Sequence, residues 1–414
     1  MNPTGGAVSV DAGRKRHIVI FAVITALCLV GDSMLYIVLP VHYRDMGVAS
    51  LWEVGVILAV NRLVRLPLNP CIGWFYARAD ERTGILIAVA LAAATTLSYG
   101  FLPNLALWIL ARCVWGVAWT LLRLGSLFCI LNLSGPDERG YYTGLYNGLS
   151  RLGSLTGMLL GGILADVAGV TVTVTVFAAA TAAALVPAFF RIPGGKKQPR
   201  ELGNAGIFAG FAVAARNRDA LWLMAAGCLT ALVFQGVTAS TLSRIIFERT
   251  GGGLSLFGFV FGASILGGFF QALRWGWEPW LAPLTGRLSD RRFGRTKMLA
   301  CSFALGAASF AALSSPLPLP LWFPCILFMQ IGATMLTTLN DAAAADTAAA
   351  AGERTLLMAY ALSVDAGAAL GPLFAYGMNE FWGINTVYAC CAAVLVLLVI
   401  RWGRATHRPP ADRV

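Results

Sequence analysis

Long apolar runs recur along this chain, separated by short polar interruptions. Each run is close to the roughly 20 residues that an α-helix needs to cross a bilayer. Hydropathy and loop residues place twelve spans near 18–40, 52–76, 84–101, 105–131, 141–165, 167–190, 219–245, 254–287, 298–315, 321–348, 355–378 and 384–401. The first, Ile18 to Pro40, is too long for a signal-peptide core and lacks a cleavage site. The expected fold class is an all-α polytopic membrane protein. Its twelve transmembrane helices form two six-helix bundles with pseudo-two-fold symmetry. The longest polar connection, 191–218 with its PGGKKQPR stretch, divides the chain. The expected order is a cytoplasmic tail 1–17, a bundle 18–190, the cytoplasmic linker 191–218, a bundle 219–401 and a cytoplasmic tail 402–414. The halves look related: Glu138-Arg139 opens span five and Glu353-Arg354 opens span eleven, while Gly73 closes span two and Gly286 closes span eight. Internal repeats of this kind build many secondary transporters, with the site near the midplane between the halves.

Composition agrees. The 414 residues are 58% hydrophobic and only 12% charged, with a mean hydropathy of +0.72. A soluble domain is about 25% charged. The net charge of +11 could suggest a nucleic-acid partner. Its placement argues otherwise: 22 Lys and Arg fall in segments assigned to the cytoplasm, and only Arg44 and Arg249 in external loops. That asymmetry orients the protein with both termini inside, in a bacterial inner membrane. No nucleic acid is expected as a partner; the lipid bilayer is.

Nine cysteines lie inside apolar runs without a C-x-x-C pair and read as small buried hydrophobes. His17, His42 and His407 lie outside the spans or at their ends. No metal, haem or other cofactor is expected. There is no P-loop, and no nucleophile–base pair that would suggest an enzyme.

One motif is specific. Gly286-Arg-Leu-Ser-Asp290-Arg291-Arg292-Phe-Gly294-Arg295-Thr-Lys297 resembles the cytoplasmic signature of the major facilitator superfamily between spans eight and nine. The likeness extends over essentially the whole chain. It implies a gate built on Gly286, Asp290, Arg291, Gly294 and Arg295, with the glycine allowing close helix packing and the aspartate capping a helix or pairing with Arg. The N-terminal counterpart has Ala77 where the family has Asp, so no gating role carries over to that loop. Arg112-Cys-Val-Trp-Gly116 is similar to the family's span-four signature. Gly153, Gly157, Gly161 and Gly162 resemble the glycine ladder of the antiporter branch, with Met158 where proline often stands. The Asp32 to Leu39-Pro40 ending of span one is like that of drug–proton antiporters. Small residues at such spacing also simply pack helices.

Ionisable residues inside a span are costly and therefore functional candidates. Asp32 lies eight residues before Pro40, about 12 Å from the outer end, and Arg112 seven residues into span four, about 10 Å deep. They share a level, and in the resembled fold both spans line the central cavity, so a coupled pair is expected. Arg112 would hold Asp32 ionised until a proton or the substrate competes. A static pair is the plainer alternative. Asp365, near mid-membrane, and Asp341 are the further proton-coupling candidates. Trp108, Arg112, Trp115, Trp119 and Arg123 share one face of span four, expected to line an aqueous cavity. Arg62, Arg123, Arg151, Trp115, Trp119, Asn147, Gln235 and Gln330 are the expected substrate-binding residues. The first half carries five interior Arg against Asp32, whereas the second sets Glu278, Asp341 and Asp365 against Arg274. Such a balance favours a solute with its negative end toward the first half.

The overlong span eight contains Arg274-Trp-Gly-Trp-Glu278-Pro279-Trp280 and Pro283. It reads either as an interrupted helix lining a site or as a local bulge.

The expected activity is alternating-access, proton-coupled efflux of a small amphiphilic anionic or zwitterionic molecule: a drug, metabolite or siderophore. The partners would be that substrate and protons, and the chain would act as a monomer. Two rivals stand beside it. One is a proton symporter importing an organic anion; the other is a transport-inactive sensor or assembly partner with the same fold.

Overall fold

A computed structural model describes residues 4–133, 138–192, 194, 207–256, 259–351 and 354–406. Lys196, Lys197, Arg200, Glu353, His407, Arg408 and Arg413 lie outside them, as do parts of the expected linker and tails. The chain divides into two compact units, Met1–Leu202 with Ile246–Phe269, and Gly203–Ile245 with Phe270–Val414.

The first unit holds α1 (Thr4–His42), α2 (Leu51–Tyr76), α3 (Glu81–Ser98), α4 (Leu105–Leu133), α5 (Arg139–Ala168) and a sixth span in two pieces, α6 (Val170–Ala183) and α7 (Leu185–Arg191). Side chains start the helices: Ser50 accepts from Glu53 N and Asp80 from Thr83 N, filling donors a helix start leaves open. Phe21, Ile24, Cys28, Ile85, Trp115 and Leu122 belong to one buried cluster.

The second unit begins with α8 (Ile207–Arg216) and α9 (Arg218–Thr230), which Asn217 caps. Span seven then passes through a π-helical segment, Ala231–Thr238, into α10 (Ala239–Thr250). Nothing in the residue pattern marks this wider turn. Thr238 Oγ1 donates to Val233 O five residues back, at 2.9 Å. The remaining helices are α11 (Ala263–Leu288), whose stretch up to Phe269 belongs to the first unit as does α10 from Ile246 onward, α12 (Arg295–Ser314), α13 (Leu319–Ala351), α14 (Arg354–Trp382) and α15 (Ile384–Thr406).

Ten helices among the described residues are long and apolar enough to cross a membrane. The helices α2 and α11 are not among the ten; they carry the polar clusters around Arg62 and Arg274. With them the chain is the expected all-α membrane protein of twelve spans.

Span eight needs correction. Its first part is not helix: β1 (Gly253–Leu256) and β2 (Phe259–Gly262) form an antiparallel hairpin. Gly251 and Gly252, at φ +68° and +112°, take left-handed backbone that stops a right-handed helix before it. Beyond the hairpin, α11 is 26 residues long and runs unbroken past Pro279 and Pro283. Neither the interrupted helix nor the bulge is present. The cysteines need correction too, since Cys71 and Cys301 are exposed.

Glycines set the helix spacing. A Cβ on Gly153 would collide with the Ala26 carbonyl, and one on Gly157 would meet Val30 Cα at 2.9 Å, so α5 lies directly on α1. In the second unit, Gly367 faces Cys228 and Gly371 faces Leu232 and Gly236, placing α14 on span seven. Gly169 and Gly383, at φ +87° and +78°, then end α5 and α14 alike. Each glycine of the second set follows its counterpart by 214 positions. The repeat is thus carried by backbone geometry. At the end of α5, Asp166 accepts from Ile265 N at 3.0 Å and sits 2.9 Å from His42 Nε2, joining α1, α5 and the start of α11.

These contacts predict opposite signs for one substitution. Gly157→Ala should cost about 1–3 kcal/mol by overpacking. Gly144→Ala meets open space and should be neutral or gain up to about 1 kcal/mol of helix propensity. Thermal unfolding of the purified proteins in detergent checks this. Equal shifts would contradict the close α1–α5 approach.

Candidate functional site

The polar centre of the first unit is built around Asp32 on α1. Its Oδ1 lies 2.6 Å from Arg112 Nη1 on α4. Arg112 is fully buried and Asp32 only 7% exposed, so this is an ion pair inside protein. Three other groups share it. Asn61 Nδ2 on α2 donates to the same oxygen at 3.2 Å, Arg112 Nε donates to Ile57 O at 3.1 Å, and Arg112 Nη1 reaches Tyr99 Oη, just past α3, at 3.2 Å. Tyr99 stacks on Trp108, whose Nε1 donates to Met46 O. Four helices therefore meet at one ion pair. Arg112 Nη2 and Asn61 Oδ1 are buried and find no hydrogen-bond partner among the described residues.

Around this centre the other first-half candidates separate. Arg62 Nε lies 3.4 Å from Tyr36 Oη. Arg65 stands 5.2 Å over the Trp119 ring, where a cation finds the negative face of the π system. Arg123, Arg151 and Asn147 are exposed. The expected face of span four is not one cavity wall. Trp108 and Trp115 are fully buried, Trp115 among apolar neighbours. The reason is packing: Trp108 stacks on Tyr99, and Trp115 lies in an apolar cluster with residues of α1 and α3.

In the second unit Gln330 is fully buried, and its Nε2 donates to Gln271 Oε1 at 3.2 Å. Gln271 Nε2 in turn donates to Thr238 O at 3.4 Å, beside the π-helical segment that holds half-buried Gln235. Trp277 Nε1 donates to Thr334 Oγ1. This is a hydrogen-bonded layer between α11, α13 and span seven. Asp341 accepts from Tyr360 Oη at 2.9 Å, and Asp365 is half-buried on α14.

The Gly286–Lys297 segment is a π-helical turn, Ser289–Phe293, between α11 and α12. Asp290 Oδ1 lies 2.8 Å from Arg295 Nη2, and Arg295 Nε lies 3.0 Å from Asp346 on α13. Arg295 thus ties the turn to a third helix. Gly294, at φ +79°, needs to be glycine. Gly286 does not serve close packing here, because a Cβ on it meets nothing within 4 Å. Arg291 is exposed.

Sequence reasoning finds Asn61 as part of a polar cluster. It misses Tyr99, Gln271 and Tyr360; a tyrosine in an apolar run looks like any other aromatic.

Long apolar helices enclosing an ion pair define a polytopic membrane protein. Comparison places it further: the Major Facilitator Superfamily model matches residues 14–277 and 280–414, and the chain belongs to that family. A solved nucleoside transporter, NupG, is similar at a TM-score of 0.77 and 14% identity, over 96% of this chain and 100% of that one. A bacterial homologue of the human lysosomal transporter Spinster, inward-facing and unoccupied, matches at 0.74 and 15%, over 96% and 99%. A POT family transporter in complex with 5-aminolevulinic acid matches at 0.69 and 12%, over 94% of each chain. These likenesses are of fold. No protein with a curated description matches.

Removing one partner of a buried pair strands the other charge, at a cost of about 3–5 kcal/mol. Arg112→Leu should destabilise by that order, and Asp32→Asn combined with Arg112→Leu should cost less than Arg112→Leu alone. A double-mutant cycle on thermal unfolding reads this, and additive costs would count against the pair.

Proposed function

We propose that the protein is a proton-coupled exporter of a small amphiphilic anionic or zwitterionic organic molecule, a drug, metabolite or siderophore. The observation carrying this reading is the buried Asp32–Arg112 pair at the meeting of four helices. Ionised, Asp32 occupies the Arg112 guanidinium. Protonated, it releases a positive charge that is buried and costly to leave alone. A negative group on the solute is the natural replacement. A proton on Asp32 and an anion on Arg112 then bind together, the logic of symport; exchange follows when a zwitterionic solute also holds ionised Asp32 with its cationic end, because a proton on Asp32 then expels it.

The surrounding chemistry supports an anionic end. Arg62 and Arg65 lie on the same helix as Asn61, and Arg123, Arg151 and Asn147 are exposed side chains of the same unit. Trp119 supplies a flat apolar surface. In the second unit Gln235 offers a neutral contact, whereas Gln330 and, in the first, Trp115 act by holding neighbours in place. Asp341 and Asp365 are further proton carriers, with Tyr360 poised on the first of them. The Asp290–Arg295–Asp346 cluster is the gating element, and Gly294 its hinge. The protein works as a monomer in a bacterial inner membrane with both termini cytoplasmic.

Inverted vesicles test the direction. An acidic lumen should drive accumulation of organic anions. Accumulation driven instead by an acidic exterior would make the protein an importing symporter. Movement of no solute under either gradient would favour the sensor or assembly role. Asp32→Asn should lose gradient-driven accumulation while keeping substrate counterflow. Gradient-driven transport at the wild-type rate in that variant would remove Asp32 from the coupling.

A further inference from the structure

The second unit carries a groove of about 790 Å³ that none of the transport chemistry uses. It runs along α9 from Arg218 to Leu229 and along the second half of α15 from Val394 to Arg404. Its rim is charged and its wall is apolar. Arg218 and Arg404 stand at the rim, exposed, and make no ion pair among the described residues. Arg401 is already committed: Nη2 lies 2.8 Å from Asp219 Oδ1, and the guanidinium lies 5.4 Å from the Trp222 ring and 5.6 Å from that of Trp402. That cluster forms a floor beside the other two guanidiniums. Behind it the wall continues along Leu229 and Val394, with Leu397 66% and Ile400 46% exposed.

The dimensions identify the occupant. Leu229 is eleven residues beyond Arg218, and Val394 ten before Arg404, so the wall extends about 15 Å from the charged rim. That is about half of a 30 Å hydrocarbon core, the depth of one leaflet. A soluble phosphate would use the rim and leave the wall bare. Arginine forks match phosphate geometry, and tryptophan and arginine favour the headgroup level. We propose that this groove is a binding site for one anionic glycerophospholipid. Its phosphate lies on Arg218 and Arg404, and an acyl chain lies along Leu229 and Val394.

Native mass spectrometry of the full-length protein tests it, with phosphatidylglycerol and phosphatidylcholine of identical chains as probes. One phosphatidylglycerol per protein should survive activation that strips phosphatidylcholine. R218Q/R404Q should reduce its retention to the phosphatidylcholine level. K15Q/R16Q removes two exposed basic charges from α1 and should retain lipid like wild type. Equal retention of both lipids, or an equal loss in K15Q/R16Q, would overturn the site and leave only diffuse attraction. A second readout locates the chain: phosphatidylglycerol with brominated acyl chains should quench wild-type fluorescence more than that of W222F. It should lose that difference in R218Q/R404Q. Equal quenching in wild type and W222F would also overturn the site.

Discussion

A buried guanidinium must be answered by an anion close by, because the interior offers no water to do it. Arg112 is fully enclosed, and Asp32 is its answer. Much of the first unit is arranged around that requirement. Asn61 and the Ile57 carbonyl come from α2, and Tyr99 from the end of α3, so three helices are registered against α4 by hydrogen bonds to one pair. A slip of one helical turn, about 5.4 Å, would leave at least one of these groups without its partner. The network also reaches the helix ends: Tyr99 stacks on Trp108, and Trp108 holds the carbonyl of Met46 in the turn after α1. The network thus runs from Asp32 to the turn after α1.

Between lipid-facing helices the hydrophobic effect supplies little, since lipid tails are as apolar as leucine. Close backbone approach supplies the packing instead. That is the work of Gly153 and Gly157 on α5, and of Gly367 and Gly371 on α14. The same ladder that resembles an antiporter signature thus has a sufficient mechanical explanation, and its recurrence in both halves fits that role. A local helix–helix contact needs only small residues at the right spacing. It says nothing by itself about which solute moves, or in which direction.

The same physics decides what is legible in the sequence. Spans are legible because length and apolarity are local properties of the chain. The level shared by Asp32 and Arg112 is legible because helical rise converts residue counts into depth. Hydropathy reads the hairpin at 253–262 as helix because Leu, Phe and Val satisfy it in either conformation; only the glycines before it mark the break. The face of α4 misleads for a different reason. Periodicity groups Trp108, Arg112 and Trp115 correctly on one side, but it cannot tell a side that faces a cavity from one that faces other helices. Gln271 and Tyr360 are invisible because a bond between distant helices leaves no trace in spacing. The Gly286–Lys297 motif is legible as a pattern, but its parts are not: Gly294 is required by its backbone angle, whereas Gly286 meets open space.

Contacts of two mechanical kinds result. Glycine seams join backbones at van der Waals limits, and sliding them would open voids along the whole helix. Ion pairs near the helix ends depend on one or two atoms and can be exchanged for water or another partner at modest cost. Arg295 is of the second kind: partly exposed, shared between Asp290 and Asp346, and set beside a glycine whose backbone can turn. The Asp32–Arg112 pair is of neither kind, being charged yet enclosed. Replacing either partner with water would strand a buried charge, at far greater cost than at Arg295.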